Sequence, residues 1–352
     1  MPGSDHERLV AQLTELASQP GVAPNRDGDI KRFVHPLAQA AIDRFQRESP
    51  LIFVNGMLNS PIDHAMAALA TSWLYMKPVI GVFNRSVNGL SDFFQCVGDK
   101  INFSSVDPRL IYQRVIGYAN PAQAMREALA RNPAQLALFD LLRRPEHRRT
   151  PIHAHSQGNL ITANALTAIA AVDRPSAIEG RLVYSYGSPT YFWPPGLVRE
   201  ENAFVFDPVS WLGSVDEHTS LSTVGMPEGS LNPITHAFLE YVRNDAAFFV
   251  NRYRSGALGL TWDMDEEGLA DALVALGYNF RRVNAIMRYL DSHESTDSDD
   301  VALEYVNRVR GTPLGQQVRL DSPLRETLIR VMDEGITFPS EHRAIEWLRT
   351  GR

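Results

Sequence analysis

Residues Pro151 to Asn159 read Pro-Ile-His-Ala-His-Ser-Gln-Gly-Asn, and the core of that run, Ala154-His155-Ser156-Gln157-Gly158, has the form of a strand, a sharp turn carrying a serine, and a helix. A serine held on such a turn sits in a strained backbone conformation, so the residues two before and two after it must be small enough for the chain to pass itself. Ala154 and Gly158 meet that demand. The following segment, Gly158 to Ala171, sets Leu160, Ile161, Ala165, Leu166 and Ile169 at helical spacing for burial. Its N-terminus directs N–H groups at the space beside Ser156, where negative charge develops if the serine attacks a carbonyl. Ala154 stands where the usual G-x-S-x-G pattern has its first glycine, and the run alone also fits a chance serine in a strand-to-helix loop.

The flanking sequence adds partners. Leu51-Ile52-Phe53-Val54 is a continuous apolar run, as expected for a strand buried on both faces of a parallel sheet, and it ends in Asn55-Gly56-Met57. Taken alone that dipeptide is an ordinary tight turn. In serine hydrolases built on an open α/β sheet, the loop after such an early strand supplies one oxyanion N–H and the residue after the nucleophile supplies the other. Met57 and Gln157 are the candidates here. Downstream, Arg181 to Tyr186 is β-rich and closes in Gly187-Ser188-Pro189; Asn202 to Phe206 follows and closes in Asp207-Pro208-Val209. An acid just past a strand's C-terminal end lies where an open α/β sheet gathers its ligands, which favours Asp207. His236 stands before an amphipathic segment, Ala237 to Val250, and the chain order Ser156, Asp207, His236 is the one expected of this architecture.

The set Ala-His-Ser-Gln-Gly, Tyr-Gly-Ser-Pro, Phe-Asp-Pro-Val and Thr-His-Ala-Phe-Leu-Glu-Tyr resembles the α/β-hydrolase superfamily, within it the lipase-like branch, over roughly residues 50–245. The branch carries GHSxGG, a GSP turn, a DxVP segment and a final H-x-x-x-x-Y. The resemblance implies Ser156 as nucleophile, Asp207 as acid and His236 as base. A narrower likeness is to bacterial hydrolases in which an HSQG elbow follows an Asn-Gly turn and a segment like Gly81 to Asn84 running through Asp92 to Gln95 to Asp99-Lys100. HSQG elbows also occur in bacterial antagonistic lipase effectors. The chain departs from the lipase-like pattern at Ala154 and in having no obvious lid helix, which leaves the substrate class open.

Each role has rivals. His153 and His155 are expected to pack under the elbow, and His218 competes with His236 as base but follows Asp207 closely. Asp140 and Glu201 read as surface acids, and Asp92, Gln95 and Asp99 fit a loop bordering the pocket and helix capping equally well. Leu58, Tyr191, Phe192, Trp193 and Trp211 follow strand ends and would line a greasy acyl pocket, or pack beneath C-terminal helices instead.

The 352 residues are 44% hydrophobic and 21% charged, enough for a large core, and the formal charge of −7 argues against a nucleic-acid partner. The single cysteine, Cys96, excludes an internal disulfide framework and a zinc ribbon. No cofactor or metal is expected. The N-terminus has no basic-then-apolar signal, so cytoplasmic residence is the default, with export by a machine that needs no cleavable signal as the alternative.

The expected fold class is α/β: an α/β-hydrolase fold with a mostly parallel sheet flanked by helices and a C-terminal all-helical appendage. Residues 1–250 form the hydrolase domain, with 1–48 a helical leader, and 251–352 the helical domain. In the hydrolase part, Pro78 to Phe83 reads as a strand, Asn120 to Leu142 as helix and the basic run Arg143 to Arg149 as a solvated loop. Helices are expected over Glu266–Gly277, Arg281–Ser292, Val301–Val309, Pro323–Glu334 and Ser340–Arg349. The functional expectation is a serine hydrolase cleaving a carboxylic ester, lipid-like by preference, with a small-molecule or lipid ester as partner, no transmembrane segment, and room for transient membrane-surface contact. The competing class is an inert hydrolase fold acting as an interaction or secreted effector protein through its C-terminal helices.

Overall fold

The computed structural model describes residues 3–45, 49–57, 59–85, 120–190, 193–204, 207, 209–210, 220–224, 235–254, 260 and 264–292. The described chain forms two compact units, one of residues 10–200 and the other of 3–9, 201–210 and 220–292.

In the first unit the strands are β1 (Ile30–Phe33), β2 (Leu51–Val54), β3 (Val79–Val82), β4 (Ile152–His155) and β5 (Leu182–Tyr186). They lie in the order β1-β3-β2-β4-β5, with the start of β6 (Val198–Phe204) next. β2 pairs in parallel with both β3 and β4, β4 pairs in parallel with β5, and only β1 runs antiparallel, against β3. This is an α/β architecture with a mostly parallel sheet.

Alternation along the strands divides the side chains between two helical layers. Ile52 and Val54 of β2, Ile152 of β4 and Val183 of β5 join one core with Leu138, Phe139, Leu141 and Leu142 of α5 (Pro133–Leu142) and Ile161, Leu166 and Ile169 of α6 (Gln157–Asp173). On the alternate positions, Phe53 meets His64, and His153 and Tyr184 meet Tyr75, both from α3 (Pro61–Tyr75). Each large apolar side chain withdrawn from water in this way contributes on the order of 1.5–3 kcal/mol.

The expected helical leader is corrected by β1. α1 (Gly3–Ala17) buries Leu9, Leu13 and Ala17 four residues apart, and α2 (Pro36–Phe45) follows, but residues 30–33 between them are a strand. Only Phe33 of β1 is buried, so the strand owes its existence to pairing with β3 and carries almost no periodic signal of its own. The helix expected over 120–142 is two: α4 (Pro121–Leu129) and α5 each open on an asparagine cap followed by proline, Asn120 accepting from the Gln123 amide and Asn132 from the Gln135 amide. A proline at the first helical position starts a helix and cannot sit inside one. After α5, Arg143 makes a bidentate pair with Asp173 at the end of α6 (2.6 and 2.9 Å), and Arg148 and Arg149 are exposed.

The second unit takes the end of β6, with β7 (Ser220–Val224) next in the strand order, and the helices α7 (Phe238–Arg243), α8 (Asp245–Arg254), α9 (Glu266–Ala275) and α10 (Phe280–Ser292). Phe249, Val250 and Tyr253 of α8 share a core with Leu269 and Leu273 of α9 and Val283 and Ile286 of α10. The boundary expected at residue 250 thus falls inside α8, because one apolar face of that helix carries the contacts on both sides of it. Asp245 clamps Arg282 bidentately at 2.8 and 2.9 Å, and the Arg282 guanidinium lies 4.2 Å from the Tyr278 ring centre. The helices expected after residue 300 lie outside the described residues.

β6 begins at Val198, four residues before the strand expected from Asn202, because its first half is charged. Glu201, expected on the surface, is 5% exposed: it belongs to a covered strand. Among the described residues no helix is long and apolar enough to cross a membrane.

Candidate active site

The connections leaving β2 and β4 set the place of the site. These strands are neighbours, yet the chain from β2 continues through α3 to β3 on one side, whereas from β4 it continues through α6 to β5 on the other. Such a reversal opens a crevice at the C-terminal strand ends, the preferred ligand site of an open α/β sheet. Asn55-Gly56 and Ser156 are the first residues past those two ends.

Ser156 has φ 55° and ψ −128°, a left-handed conformation that a side chain adopts only when its surroundings impose it, at a cost of about 1–3 kcal/mol. Its amide donates to the Tyr186 carbonyl of β5 (3.0 Å), and the Asn159 carboxamide donates to the carbonyls of Ser156 (3.0 Å) and Tyr186 (3.2 Å). Gly158 has no alternative: a Cβ there would lie 2.4 Å from the Val54 carbonyl oxygen. Ala154 is fully buried within β4, where a methyl group is accommodated in place of the usual glycine. Gln157 is the first residue of α6, so its amide is among those that a helix leaves without an intrahelical acceptor.

The turn after β2 lies directly on the serine. A Cβ on Gly56 would stand 2.4 Å from the Ser156 Cβ and 2.9 Å from its Oγ, so backbone alone fits between. Asn55, fully buried, donates from Nδ2 to the carbonyls of Gly56 and Asn84 (both 2.8 Å) and accepts on Oδ1 from the Asn84 amide (2.8 Å) and from His64 Nδ1 (2.8 Å). Asn84 in turn donates from Nδ2 to Gln157 Oε1 at 2.7 Å. These residues carry no motif of their own, and only the dipeptide Asn55-Gly56 signals them in the sequence.

Asp207 and His236 meet within the second unit. His236 Nδ1 lies 2.7 Å from Asp207 Oδ2, the Tyr241 hydroxyl donates to the same oxygen at 2.5 Å, and the Val209 amide donates to Oδ1 at 2.8 Å. Tyr241 is held by ring contacts with Phe204 at the end of β6 and with Phe248 of α8. Burial by itself raises the Asp207 carboxyl, but the His236 charge and hydrogen bond, then the Tyr241 hydroxyl and the Val209 amide, outweigh it and hold the group below its ordinary range. Burial and the Asp207 charge push Tyr241 well above the ordinary phenol value, so it remains a neutral donor. The sequence contained Tyr241 as the last letter of H-x-x-x-x-Y without assigning it a role; its hydroxyl fixes the carboxylate.

The remaining candidates divide. Comparison of the chain with protein-family models, with curated proteins and with solved structures gave no match. His153 and His155 are buried as expected; His153 Nδ1 lies 3.1 Å from the Tyr186 hydroxyl and the ring stacks on Tyr184. Asp140 pairs with Arg126 at 3.0 Å. Trp193, expected at a substrate pocket, instead belongs to the core of the first unit with the Arg199 guanidinium 5.4 Å from its ring centre, because the large ring is covered by that core's apolar side chains. Leu58, Tyr191, Phe192, Trp211, His218, Asp92, Gln95, Cys96 and Asp99 lie outside the described residues. Among the described residues, no group of three or more metal-ligating side chains comes together.

His64 makes the site acid-sensitive. Complete burial lowers its pKa from 6.5 to about 3, and its Nε2 makes no hydrogen bond among the described residues, with the rings of Phe33, Phe53 and Phe83 packed around the imidazole. The unfolded chain takes up a proton below the ordinary histidine value while the folded chain refuses it. The stabilisation is therefore complete above about pH 6.5 and is lost as the pH falls toward about 3, at roughly 1.4 kcal/mol per pH unit. The lowered Asp207 acts in the same direction, its contribution being lost only below the ordinary carboxylate range. Thermal unfolding between pH 7 and 4 is expected to show a slope that decreases by that amount in His64→Asn. An unchanged slope would contradict a neutral His64.

Proposed function

We propose that the chain is a serine hydrolase of the α/β-hydrolase type that cleaves a carboxylic ester, preferably of an acyl chain, through Ser156, His236 and Asp207. The observation that carries this reading is the backbone of Ser156: a left-handed φ at the junction of a buried strand and a helix, with Gly56 packed against the side chain. A core serine with a purely structural role gains nothing from that strain.

In the proposed reaction His236 takes the Ser156 proton as Oγ attacks the carbonyl carbon. Asp207 holds the imidazole with its proton on Nδ1, leaving Nε2 as the base, and stabilises the imidazolium that forms. The amides of Met57 and Gln157 receive the oxyanion, each worth about a hundred- to a thousandfold in rate. The protonated imidazole then gives its proton to the departing alcohol, leaving an acyl-serine. Water, deprotonated by the same imidazole, releases the acid and restores the serine.

A fluorophosphonate probe tests the assignment because it captures a serine only where a base and an oxyanion site activate it. Covalent labelling of the folded protein at Ser156, abolished in Ser156→Ala and strongly slowed in His236→Ala, is expected. A folded protein that takes up no label would exclude the reading and favour an inert scaffold.

A further inference from the structure

We propose that Asn55, oriented by His64 and joined to Asn84, is a positioning device that holds both oxyanion donors, the amides of Met57 and Gln157, in place beside Ser156. The proposal deepens the serine-hydrolase reading and rests on it.

A carboxamide offers two N–H bonds and two acceptor lone pairs, and Asn55 uses all four. That fixes its orientation. Turning the group over would set Nδ2 against the Asn84 amide, donor against donor, and Oδ1 against two carbonyl oxygens. With Oδ1 as acceptor, His64 must donate from Nδ1, and the lone pair on Nε2 is left among phenylalanine rings, with no hydrogen-bond partner among the described residues. Among the described residues, the hydrogen bond of the imidazole goes to Asn55.

The effect on the first donor follows from peptide geometry. The Gly56 carbonyl and the Met57 N–H belong to one planar trans peptide unit, so fixing the direction of the carbonyl fixes the amide in the opposite direction. Asn55 Nδ2 binds that carbonyl at 2.8 Å, and Asn59 Nδ2 at 3.2 Å supports it. Gly56 itself touches Ser156, so the amide that follows is aimed from a backbone already in contact with the nucleophile.

The second donor is reached through Asn84. Its backbone both donates to and accepts from the Asn55 carboxamide, while its own Nδ2 binds Gln157 Oε1 at 2.7 Å. One chain of hydrogen bonds thus runs from α3 through the residues following β2 and β3 to the first residue of α6. It joins the two residues whose amides must converge on one oxygen, and it gives the glutamine after the serine a physical role. A displacement of about 1 Å at such a donor costs up to a hundredfold in rate, because the oxyanion is bound only in the transition state.

The test uses the full chain, p-nitrophenyl esters of graded acyl length, and a pair of variants that separate the donor from the ring. His64→Leu removes the donor; His64→Asn places an N–H at nearly the reach of Nδ1 and also loses the ring. Both are expected to melt lower than the wild type. His64→Leu is expected to lose about 10- to 100-fold in kcat with KM within twofold, whereas His64→Asn stays within about threefold of wild-type kcat. Gln157→Leu, on the half-exposed face of α6, is expected to lose up to tenfold in kcat, with a lowering of Tm smaller than that of the His64 variants.

Equal kcat losses in the two His64 variants, tracking their Tm, or a change confined to KM, would overturn the clamp, as would wild-type kcat in Gln157→Leu. If the His64 variants do not fold, the Gln157→Leu result decides alone. A wild type that neither turns over esters nor takes up the fluorophosphonate label removes the hydrolase reading and the clamp together. A labelled, active wild type whose variants show no kcat effect removes the clamp only.

Discussion

Ser156→Ala is expected to lower ester turnover by a factor on the order of 10⁴ or more while leaving the fold intact. The size of the effect reflects the division of labour at the elbow. In the proposed mechanism no acyl-enzyme forms without the hydroxyl, and the amides of Met57 and Gln157 would assist only direct attack by water, which retains a small residual rate. The fold should tolerate the change because the Ser156 side chain makes no capping bond to α6. Alanine keeps the Cβ that packs against Gly56, and the strain at φ 55° is the same for either residue. The measurement is kcat on a chromogenic ester beside a melting curve. A folded Ser156→Ala protein that still hydrolyses esters at the wild-type rate would end the assignment.

Asp207→Asn is expected to cost a comparable factor, about 10⁴ in kcat, through a tautomer and not through lost packing. The Val209 amide donates to Oδ1, so an asparagine would keep its oxygen there and turn its amino group toward His236 and Tyr241. His236 Nδ1 then has to accept a hydrogen bond, which moves the ring proton to Nε2, the atom that the mechanism requires to be unprotonated. The Tyr241 hydroxyl can rotate to accept, so no buried group is left unpaired and the loss of stability should be modest. Turnover of Asp207→Asn within tenfold of wild type would show that His236 does not act as base in this form.

Several parts of the molecule were legible before any coordinates. Leu51 to Val54 announced a strand covered on both faces, and the run from Ile152 to Ala171 announced the elbow, because burial and strain demand particular residue types there: unbroken apolar residues in the first, small residues flanking a serine in the second. Chain order singled out Asp207 and His236 as candidates, and the structure shows only that the two side chains meet at hydrogen-bond distance within their own unit. Other parts were not legible. β1 has one buried side chain and takes its shape from β3, so no periodicity in Ile30 to Phe33 could reveal it. Charged residues in β6 concealed half of that strand and hid the burial of Glu201. Trp193 was apolar and close to a strand end, which fits a pocket wall as well as the core where it lies. His64 stands nine positions from Asn55 without any motif around it, and nothing in the letters joins it to Asn84 or Gln157.

The amino-acid sequence by itself determined the α/β character of the chain and the strained serine turn, since both depend on local properties: alternation, apolar runs, and the absence of a side chain at Gly158. The tertiary structure alone decided the polar network behind that turn, the seating of Gly56 on Ser156, and the role of Tyr241. Hydrogen bonds are directional and short, so groups far apart in the chain become partners only when the packing of strands and helices has brought them within about 3 Å, a distance that no spacing along the chain encodes.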